Sequence, residues 1–350
     1  MTMTEQVGTT TVSPTIQEQA PTVLSAVAGH MGHRTIVIGL RCGLIETLAE
    51  HPDGLTPGGL ADRLGLDEFY TGVWCRGAVA AGVLERDGDH YRLAPHMDTL
   101  LLDASSPAYA GALFQLTERP ELFERFERVL PTGARLWWDD CSPEWIAAVT
   151  GTGTPFNTRL VPSGLSQVPG LSERLEDGCR IVDTACGTGV GLVRLAEQYP
   201  RCRVVGIDGD THSIDIAARR VQEAGIDDRV ELEASPLEEM RIDPPATLVI
   251  NNISMHECRD IDRATANVLA GLEPGGWFVI SDFPFPEDDE GLKALPGQLM
   301  AGIQFFEAQI DDQLLPRSAY DDLLSRHGFT DLGHAELAPV HALTWGRRPS

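Results

Sequence analysis

The 350-residue chain carries a net charge of −25 at neutral pH and contains 42% hydrophobic and 23% charged residues. This composition is ordinary for a globular protein, and the length suffices for two domains. The acidic surplus disfavours binding to nucleic-acid phosphates and to anionic membrane surfaces. No apolar run reaches the roughly 18–20 residues that a membrane helix needs. From the charge and the short apolar runs together, we expect neither a nucleic-acid nor a membrane partner.

The N-terminal residues 1–21 are rich in Thr, Gln, Glu and Pro, a composition typical of a disordered tail. They lack both the basic region and the apolar region of a signal peptide. The seven cysteines are odd in number and contain no CxxC pair, which fits reduced thiols better than a disulfide framework or a zinc site. The sequence therefore predicts a cytoplasmic protein.

Residues 22–104 predict short helices followed by a hairpin. Thr56 is a candidate cap for a helix that starts at Pro57, a second helix follows over 68–81, and Asp-Gly marks the tip of the hairpin. Helix, turn, helix and hairpin in this order are typical of a winged-helix domain. The second helix offers one basic residue, Arg76, whereas a helix that reads a DNA groove carries several, so a dimerisation domain is preferred over a DNA-binding one.

Residues 105–175 are mostly helical and rich in aromatic residues, with a predicted loop over 150–164. Such a segment is either a wall over a binding pocket or simply part of a core. We treat it as a helical linker and pocket wall. Within the predicted loop, Arg159 is the only basic residue and a candidate partner for a substrate carboxylate.

Residues 176–350 alternate between apolar strands and helices of about 10–15 residues, and they end in an antiparallel strand pair. The fold class is therefore α/β, with a Rossmann-like, mostly parallel sheet of seven strands behind a mainly helical N-terminal domain. In such sheets ligands bind beyond the carboxyl ends of the strands.

A glycine-containing loop, "VDTACGTG", follows the first of these strands. Gly187 and Gly189 let the backbone approach a ligand closely, and Asp183 at the strand tip offers only hydrogen-bond acceptors. Asp208 ends the second strand, 21 residues after Gly187, where a carboxylate can accept hydrogen bonds from ribose hydroxyls. An acidic residue beside the loop suits a cationic ligand better than a pyrophosphate.

These two segments resemble the first two motifs of class I S-adenosylmethionine-dependent methyltransferases. The resemblance implies that Asp183 lies near the ammonium group of the cofactor and that Asp208 binds the ribose. Ala185 stands where these loops usually have their first glycine. Ser235 stands where an Asp usually faces the adenine. Together with the N-terminal half, the chain resembles small-molecule methyltransferases that dimerise through that domain, which implies a homodimer and a role in secondary metabolism.

Polar residues follow the buried stretch "TLVI" at the same predicted edge of the sheet. Asn251 and Asn252 are predicted to face the cofactor, and His256 is the candidate general base that deprotonates the methyl acceptor. In the O-methyltransferases that the chain resembles, a Glu before the last helix orients this histidine. Leu314 or a neighbour takes that place here, so the dyad is incomplete unless Glu257 or Glu307 substitutes.

A second chemistry rests on a similarity to α-keto-acid C-methyltransferases, which hold a metal ion with an adjacent His and acidic residue and a later His. Here the corresponding set is His256, Glu257 and Glu307, with Glu307 also a candidate substrate-binding residue. One imidazole and two carboxylates suit a divalent or ferric ion that acidifies a carbon next to a carbonyl.

The sequence leaves O-methylation and C-methylation of a small metabolite open. Two further alternatives are a ligand-responsive transcriptional regulator with a methyltransferase-like body and an enzyme that uses the sulfonium cofactor without transferring a methyl group.

Overall fold

The computed structural model describes residues 13–350, which divide into two compact units at Asp98 and Thr99. The predicted boundary after residue 104 lies six residues beyond this one. Of the predicted N-terminal tail, residues 1–12 lie outside the described residues, and the first helix already begins at Ile16. Among residues 13–350 no helix combines the length and apolarity needed to cross a membrane.

The first unit consists of four helices and a two-stranded hairpin. Thr15 caps the first helix, and Thr56 caps the third by accepting a hydrogen bond from the Gly59 N–H at 3.1 Å, as the sequence predicts. Ile45, Cys75 and their apolar neighbours are fully buried between these elements. The elements are α1 (Ile16–Arg41), α2 (Leu44–Ala49), α3 (Pro57–Leu64), α4 (Glu68–Ala80), β1 (Leu84–Asp87) and β2 (His90–Leu93).

Helices dominate the chain between the hairpin and the large sheet. They are α5 (Met97–Leu101), α6 (Gly111–Leu116), α7 (Glu124–Val129), α8 (Pro143–Arg159) and α9 (Leu171–Asp177).

The predicted loop over 150–164 is wrong for its first ten residues, which complete helix α8. Packing outweighs the poor helix propensity of this Gly- and Thr-rich stretch. A Cβ at Gly153 would lie 3.2 Å from the Ile253 side chain, so glycine permits close approach. The hydroxyls of Thr154 and Thr158 donate back to the carbonyls four residues earlier, which is how such residues are accommodated in a helix.

The second unit is built on one seven-stranded sheet with the order β5-β4-β3-β6-β7-β9-β8, which confirms the predicted mostly parallel sheet. β9 pairs antiparallel with both of its neighbours, β7 and β8, and the other strand pairs are parallel. The strands are β3 (Arg180–Thr184), β4 (Arg203–Asp208), β5 (Val230–Ala234), β6 (Ala246–Asn252), β7 (Leu272–Asp282), β8 (Thr330–Ala338) and β9 (His341–Arg347). The helices between them are α10 (Val190–Gln198), α11 (Thr211–Glu223), α12 (Ile261–Gly271), α13 (Asp289–Lys293), α14 (Leu295–Glu307) and α15 (Arg317–Arg326).

Each face of the sheet carries its own apolar core, because the side chains of successive strand residues point to opposite faces. Ile181 and Leu248 belong to one core, and Val182 and Val249 belong to the other. Strand β6 is buried over its whole length, as expected of a central parallel strand. The strand order reverses between β3 and β6, and their carboxyl ends therefore open the crevice where ligands of such sheets bind.

Candidate functional site

A cavity of about 680 Å³ lies at the carboxyl edge of the sheet, within the second unit. Its lining comes from the segments that follow β3, β4, β5 and β6, from the helical segment over 137–157, and from Ile310 and Asp312 after α14. Four of the predicted cofactor residues at the ends of β3 and β4 line it together: Asp183, Ala185, Gly187 and Asp208. We call this part of the site the glycine-loop end.

The loop after β3 has a backbone that turns under the cavity. Ala185 and Gly187 both have positive φ values, 64° and 52°, and both line the cavity. Gly189 also has a positive φ, but it does not line the cavity, and a Cβ there would lie 2.9 Å from the Ala217 side chain. Gly189 therefore serves the packing of helix α10 against α11, and the prediction that it contacts the cofactor is not supported by its position.

Asp208 is held by the backbone of its surroundings. Its carboxylate accepts hydrogen bonds from the N–H groups of Gly187 at 2.7 Å and Asp210 at 2.9 Å. Burial raises the pKa of Asp208 in spite of these two donors. The carboxylate is thus fixed in place at the end of β4, facing the cavity.

Asp183 is buried, and its Oδ1 has no hydrogen-bond partner among the described residues. Burial, reinforced by the nearby Asp208, raises the pKa of Asp183 to about 8. A buried carboxylate oxygen without a donor is costly, so such a group marks a place where a ligand supplies the donor. The position suits a cation or an N–H group in the cavity.

Of the two asparagines at the end of β6, only Asn252 lines the cavity. The Asn251 amide is fully buried and donates to the carbonyl and hydroxyl of Thr184, so it ties β6 to β3. Ser235 does not line the cavity either, and its hydroxyl donates to the Pro236 carbonyl at 3.2 Å. The residues after it take its place in the lining: Pro236, Leu237 and Glu238.

His256 lies in a short 3₁₀ turn, Met255–Glu257, and its imidazole is buried. Its Nδ1 donates to Asp282 Oδ2 at 2.9 Å, and the same oxygen accepts the Tyr320 hydroxyl at 2.7 Å. Neither partner was predicted from the sequence. No signal in the segment of Asp282 pointed to this contact, which arises because β7 lies beside β6 and brings the carboxylate to the residues that follow β6. The dyad predicted to be incomplete is therefore completed by Asp282.

The other imidazole nitrogen faces two carboxylates. His256 Nε2 lies 3.7 Å from Glu307 Oε2 and 3.9 Å from Glu257 Oε1, and both Nε2 and Glu307 Oε2 lack hydrogen-bond partners in the described chain. The predicted set of three ligand atoms thus comes together within 4.8 Å. We call His256, Glu257, Asp282, Glu307 and Tyr320 the histidine end of the site.

The electrostatics of the histidine end are dominated by acidic groups. Burial opposes protonation of His256, but Asp282 and Glu307 outweigh it and hold the His256 pKa well above its usual range. Burial and the neighbouring Glu307 raise the pKa of Glu257, whose Oε2 also accepts the Trp138 indole N–H at 3.0 Å. Glu257 lines the cavity, whereas His256 and Glu307 are not among the lining residues.

Arg159 does not line the cavity, contrary to its predicted role towards a substrate carboxylate. Its guanidinium donates to the Pro107 carbonyl at 2.8 Å and to His341 Nδ1 at 3.0 Å. The guanidinium also lies over the Phe156 ring. Among the lining residues Arg259 alone is basic, and it stacks on Trp137 with 3.5 Å between the guanidinium carbon and the ring centre.

Comparison with known proteins agrees with this geometry. A family model described as a methyltransferase domain matches residues 175–318. A trans-aconitate 2-methyltransferase from Azoarcus sp. (strain BH72) is 28% identical over 174 residues, which are 49% of this chain and 63% of that protein. The chain spans between 24% and 63% of the length of the curated relatives it matches.

Solved structures match nearly the whole chain. An O-methyltransferase family protein from Burkholderia thailandensis has a TM-score of 0.66 at 18% identity, covering 97% of this chain and 99% of that one. Human N-acetylserotonin methyltransferase in complex with S-adenosylmethionine has a TM-score of 0.70 at 16% identity, covering 97% and 100%. At these identities the likeness shows the fold, and the fold is that of these methyltransferases.

Proposed function

We propose that this chain, which has the class I S-adenosylmethionine-dependent methyltransferase fold and a methyltransferase domain over residues 175–318, methylates a small molecule. The observation that carries the proposal is one cavity that joins an unpaired buried acid, a glycine loop and a strand-end carboxylate beside a buried histidine. Each of these features occurs in other proteins, but together they fit a sulfonium cofactor and a proton acceptor.

The glycine-loop end supplies the cofactor contacts. Asp183 accepts from the ammonium group of S-adenosylmethionine, the backbone of Ala185 to Gly187 lies under the cofactor, and Asp208 accepts from the ribose hydroxyls. Pro236 and Leu237 offer an apolar surface to the adenine, in place of the Ser235 side chain. The bound cofactor supplies the methyl group and the leaving group.

The histidine end prepares the acceptor. Because Asp282 accepts from Nδ1, Nε2 is the nitrogen that takes the proton of the acceptor, and it has no other hydrogen-bond partner in the described chain. In spite of burial, Asp282 and Glu307 raise the pKa of His256, so the ring acts as a base only in the fraction of molecules whose imidazole is neutral. A hydroxyl group of the acceptor that lies against Nε2 loses its proton as the oxygen attacks the methyl carbon in line with the sulfur. Tyr320 and Asp282 keep the ring orientation fixed during this step.

A metal-assisted C-methylation is the second candidate, favoured by the unpaired Nε2 of His256 and Oε2 of Glu307. These two atoms and a carboxylate oxygen of Glu257 could hold a divalent or ferric ion. One nitrogen and two oxygens form a ligand set that suits hard and borderline metals. When bound, such an ion would stabilise an enolate of an α-keto acid. The same three side chains then serve as ligands, and His256 is not the base.

The acceptor end of the cavity fits a flat, largely apolar metabolite. Trp137, Trp138, Ile146, Val149 and Ile310 line it, and aromatic side chains of this kind stack on planar rings. An acceptor of that type is consistent with a role in secondary metabolism and a cytoplasmic location, both of which stay predictions.

The first unit is proposed to form a homodimer. Helix α1 carries exposed apolar residues whose positions fall on one face of the helix and form an apolar stripe: Val23, Leu24, Val27, Met31 and Ile38. On α4 the exposed residues include Phe69, Tyr70 and Val73, and the one basic residue of this helix is Arg76. An apolar surface of this kind suits association with a second copy better than DNA, and light scattering of the purified protein would measure the dimer.

Isothermal titration with S-adenosylmethionine tests the proposal, and we expect saturable binding with one site per chain. The absence of heat at micromolar protein would end it. Mass spectrometry of the product then separates the alternatives, since methyl transfer adds one CH₂ unit whereas other uses of the cofactor do not. A salt-dependent gel shift with genomic fragments would instead support the regulator alternative.

A further inference from the structure

A chain of buried hydrogen bonds crosses the second unit and ends at the cavity. It joins Arg159 on α8 to His341 at the start of β9, then Ser281 on β7, Asn252 on β6 and Asn157 on α8. The successive distances are 3.0, 2.7, 2.6 and 3.2 Å. His341 and Ser281 are fully buried, and the last two residues, Asn252 and Asn157, line the cavity.

Arg159 determines which atom donates and which accepts in every hydrogen bond of this series. A guanidinium can only donate, so His341 Nδ1 must accept, and the proton of the neutral imidazole lies on Nε2. Burial, together with the charge of Arg159, lowers the pKa of His341 to about 3, which keeps the ring neutral. His341 Nε2 therefore donates to the Ser281 oxygen.

The orientation of the Asn252 amide follows from the same argument. Because Ser281 accepts from His341, its own proton goes to Asn252, which must turn its oxygen Oδ1 towards the hydroxyl. The amide nitrogen Nδ2 then faces Asn157 and donates one hydrogen to its Oδ1. The second N–H of Asn252 has no acceptor within residues 13–350, and Asn157 likewise uses only one N–H, towards the Gly153 carbonyl.

These two amide groups lie close to the unpaired acid of the glycine-loop end. Asn157 Oδ1 and Asp183 Oδ2 lie 2.6 and 3.0 Å from the point that a Cβ of residue 191 would occupy, so Gly191 leaves room for both side chains. One corner of the cavity thus holds the Asp183 carboxylate and the two amide groups, each of which has an N–H that bonds no described residue.

From this arrangement we infer that Asn252 and Asn157 bind the carboxylate of the cofactor's amino-acid end while Asp183 binds its ammonium group, and that Arg159, His341 and Ser281 are positioning residues that hold the donors in place. The inference rests on the proposed function and names how its cofactor site recognises a zwitterion. The inference also gives Arg159 a role. The Arg159 guanidinium lies at the far end of the series of hydrogen bonds, and because it can only donate, it sets the direction of every bond in that series.

The electrostatics of the cavity favour neutral donors at this point. Six acidic residues line the cavity, and they would repel a ligand carboxylate: Asp183, Asp208, Asp210, Glu238, Glu257 and Asp312. A free Arg or Lys in this corner would pair with Asp183 and remove the acceptor that the ammonium group needs. Amide N–H groups polarised through a chain of hydrogen bonds bind a carboxylate without neutralising Asp183.

The test compares two ligands that differ in the amino-acid end alone. S-adenosylhomocysteine carries that end, whereas 5′-methylthioadenosine shares the adenosine and the thioether but lacks it. Calorimetry should show Asn252→Ala weakening S-adenosylhomocysteine binding about tenfold or more and Ser281→Ala about threefold to tenfold, because hydrogen bonds to a charged group are lost or misaligned. Both variants should leave the affinity for 5′-methylthioadenosine within twofold of the wild type.

A third variant separates binding from packing. Asn252→Asp keeps the size of the side chain but turns the donor into a second carboxylate, so it should weaken S-adenosylhomocysteine more than Asn252→Ala does. If Asn252 were merely structural, the isosteric change would be the milder one. Thr344→Val, which removes a buried hydroxyl on β9 outside the chain of bonds, is the matched control and should change neither affinity.

The outcomes are distinguishable from each other. Selective loss of S-adenosylhomocysteine binding supports the inference. Equal weakening of both ligands, or no weakening of either, overturns it while the proposed function stands. If the wild-type protein binds neither ligand, the proposed function fails and the inference falls with it.

Discussion

The two ends of the site are built in different ways. The glycine-loop end takes its functional groups from short segments at strand ends, Asp183 to Gly187 and Asp208, and each group is oriented by the strand that carries it. The histidine end combines His256 with Asp282, Glu307 and Tyr320, which lie up to 64 residues further along the chain on β7, α14 and α15. The first end is a local feature of the sequence, and the second exists only in the folded sheet.

This difference has a consequence for mutations. A change at the glycine-loop end should act on cofactor affinity, whereas a change at the histidine end should act on the rate of the reaction with the cofactor bound. Four changes test this contrast, of which the loss of the base has the largest expected effect.

His256→Ala should lower turnover by roughly 10²–10⁴ and leave S-adenosylmethionine affinity unchanged within twofold, because the base is lost and the cofactor contacts remain. Steady-state kinetics and calorimetry on the same preparation measure the two effects. His334→Ala, at an exposed histidine of β8, is the control and should change neither. Unchanged turnover in the His256 variant would mean that His256 has only a structural role in the 3₁₀ turn.

Asp282→Asn should lower turnover by about 10–10², less than loss of the base itself, because the imidazole stays but its orientation and proton position are no longer held. The affinity for S-adenosylmethionine should again stay constant.

Metal analysis of the same preparations distinguishes the base mechanism from the metal-assisted candidate. A stoichiometric ion in the wild type, with activity that disappears on chelation and returns on reloading, would favour the metal-assisted candidate over the base.

Cofactor binding should depend on pH through Asp183. Its pKa of about 8 means that the empty protein holds this carboxyl mostly protonated at neutral pH, whereas the ammonium group of the cofactor requires the ionised form. The affinity should therefore rise with pH between about 6 and 7.5, by up to tenfold per pH unit. Asp183→Asn should bind more weakly and lose most of this slope, and a slope that persists unchanged would assign the linkage to another group.

The smallest effect concerns the stability of the empty protein. The folded-state pKa of Asp183 is raised above the ordinary carboxyl value near 4, so ionising it costs more in the folded state than in the unfolded one. Its contribution to stability therefore falls as pH rises from about 4 towards 8.

Thermal unfolding of the cofactor-free protein checks this directly. Asp183→Asn should raise the melting temperature by a few degrees at pH 8 and by little at pH 5. Asp215→Asn, at an exposed aspartate of α11, should not show this pH-dependent gain. A variant that is destabilised equally at both pH values would contradict the assignment.

The sequence predicted what depends on local pattern. The strand and helix alternation gave the seven-stranded sheet, and the strand-end acids Asp183 and Asp208 were placed at the cavity because parallel strands bring their carboxyl ends to one edge. The clustering of His256, Glu257 and Glu307 was also predicted, although only by analogy with a related chemistry.

What escaped prediction depends on tertiary contacts. Asp282 was missed because nothing in its own segment shows that β7 lies beside β6 in a register that brings its end to His256. Arg159 was assigned to the substrate because the stretch around it looks like a loop, whereas packing makes it helical and turns the guanidinium towards His341. Ser235 and Gly189 show the same limit: a motif position predicts proximity to the cavity, not the direction of a side chain.

The most direct test of the account is a crystal structure of the protein with S-adenosylhomocysteine. We predict that the amino-acid end contacts Asp183, that the ribose hydroxyls contact Asp208, and that the sulfur faces the part of the cavity lined by Glu257, next to His256. An empty cavity, or a ligand whose sulfur points away from the histidine end, would contradict it.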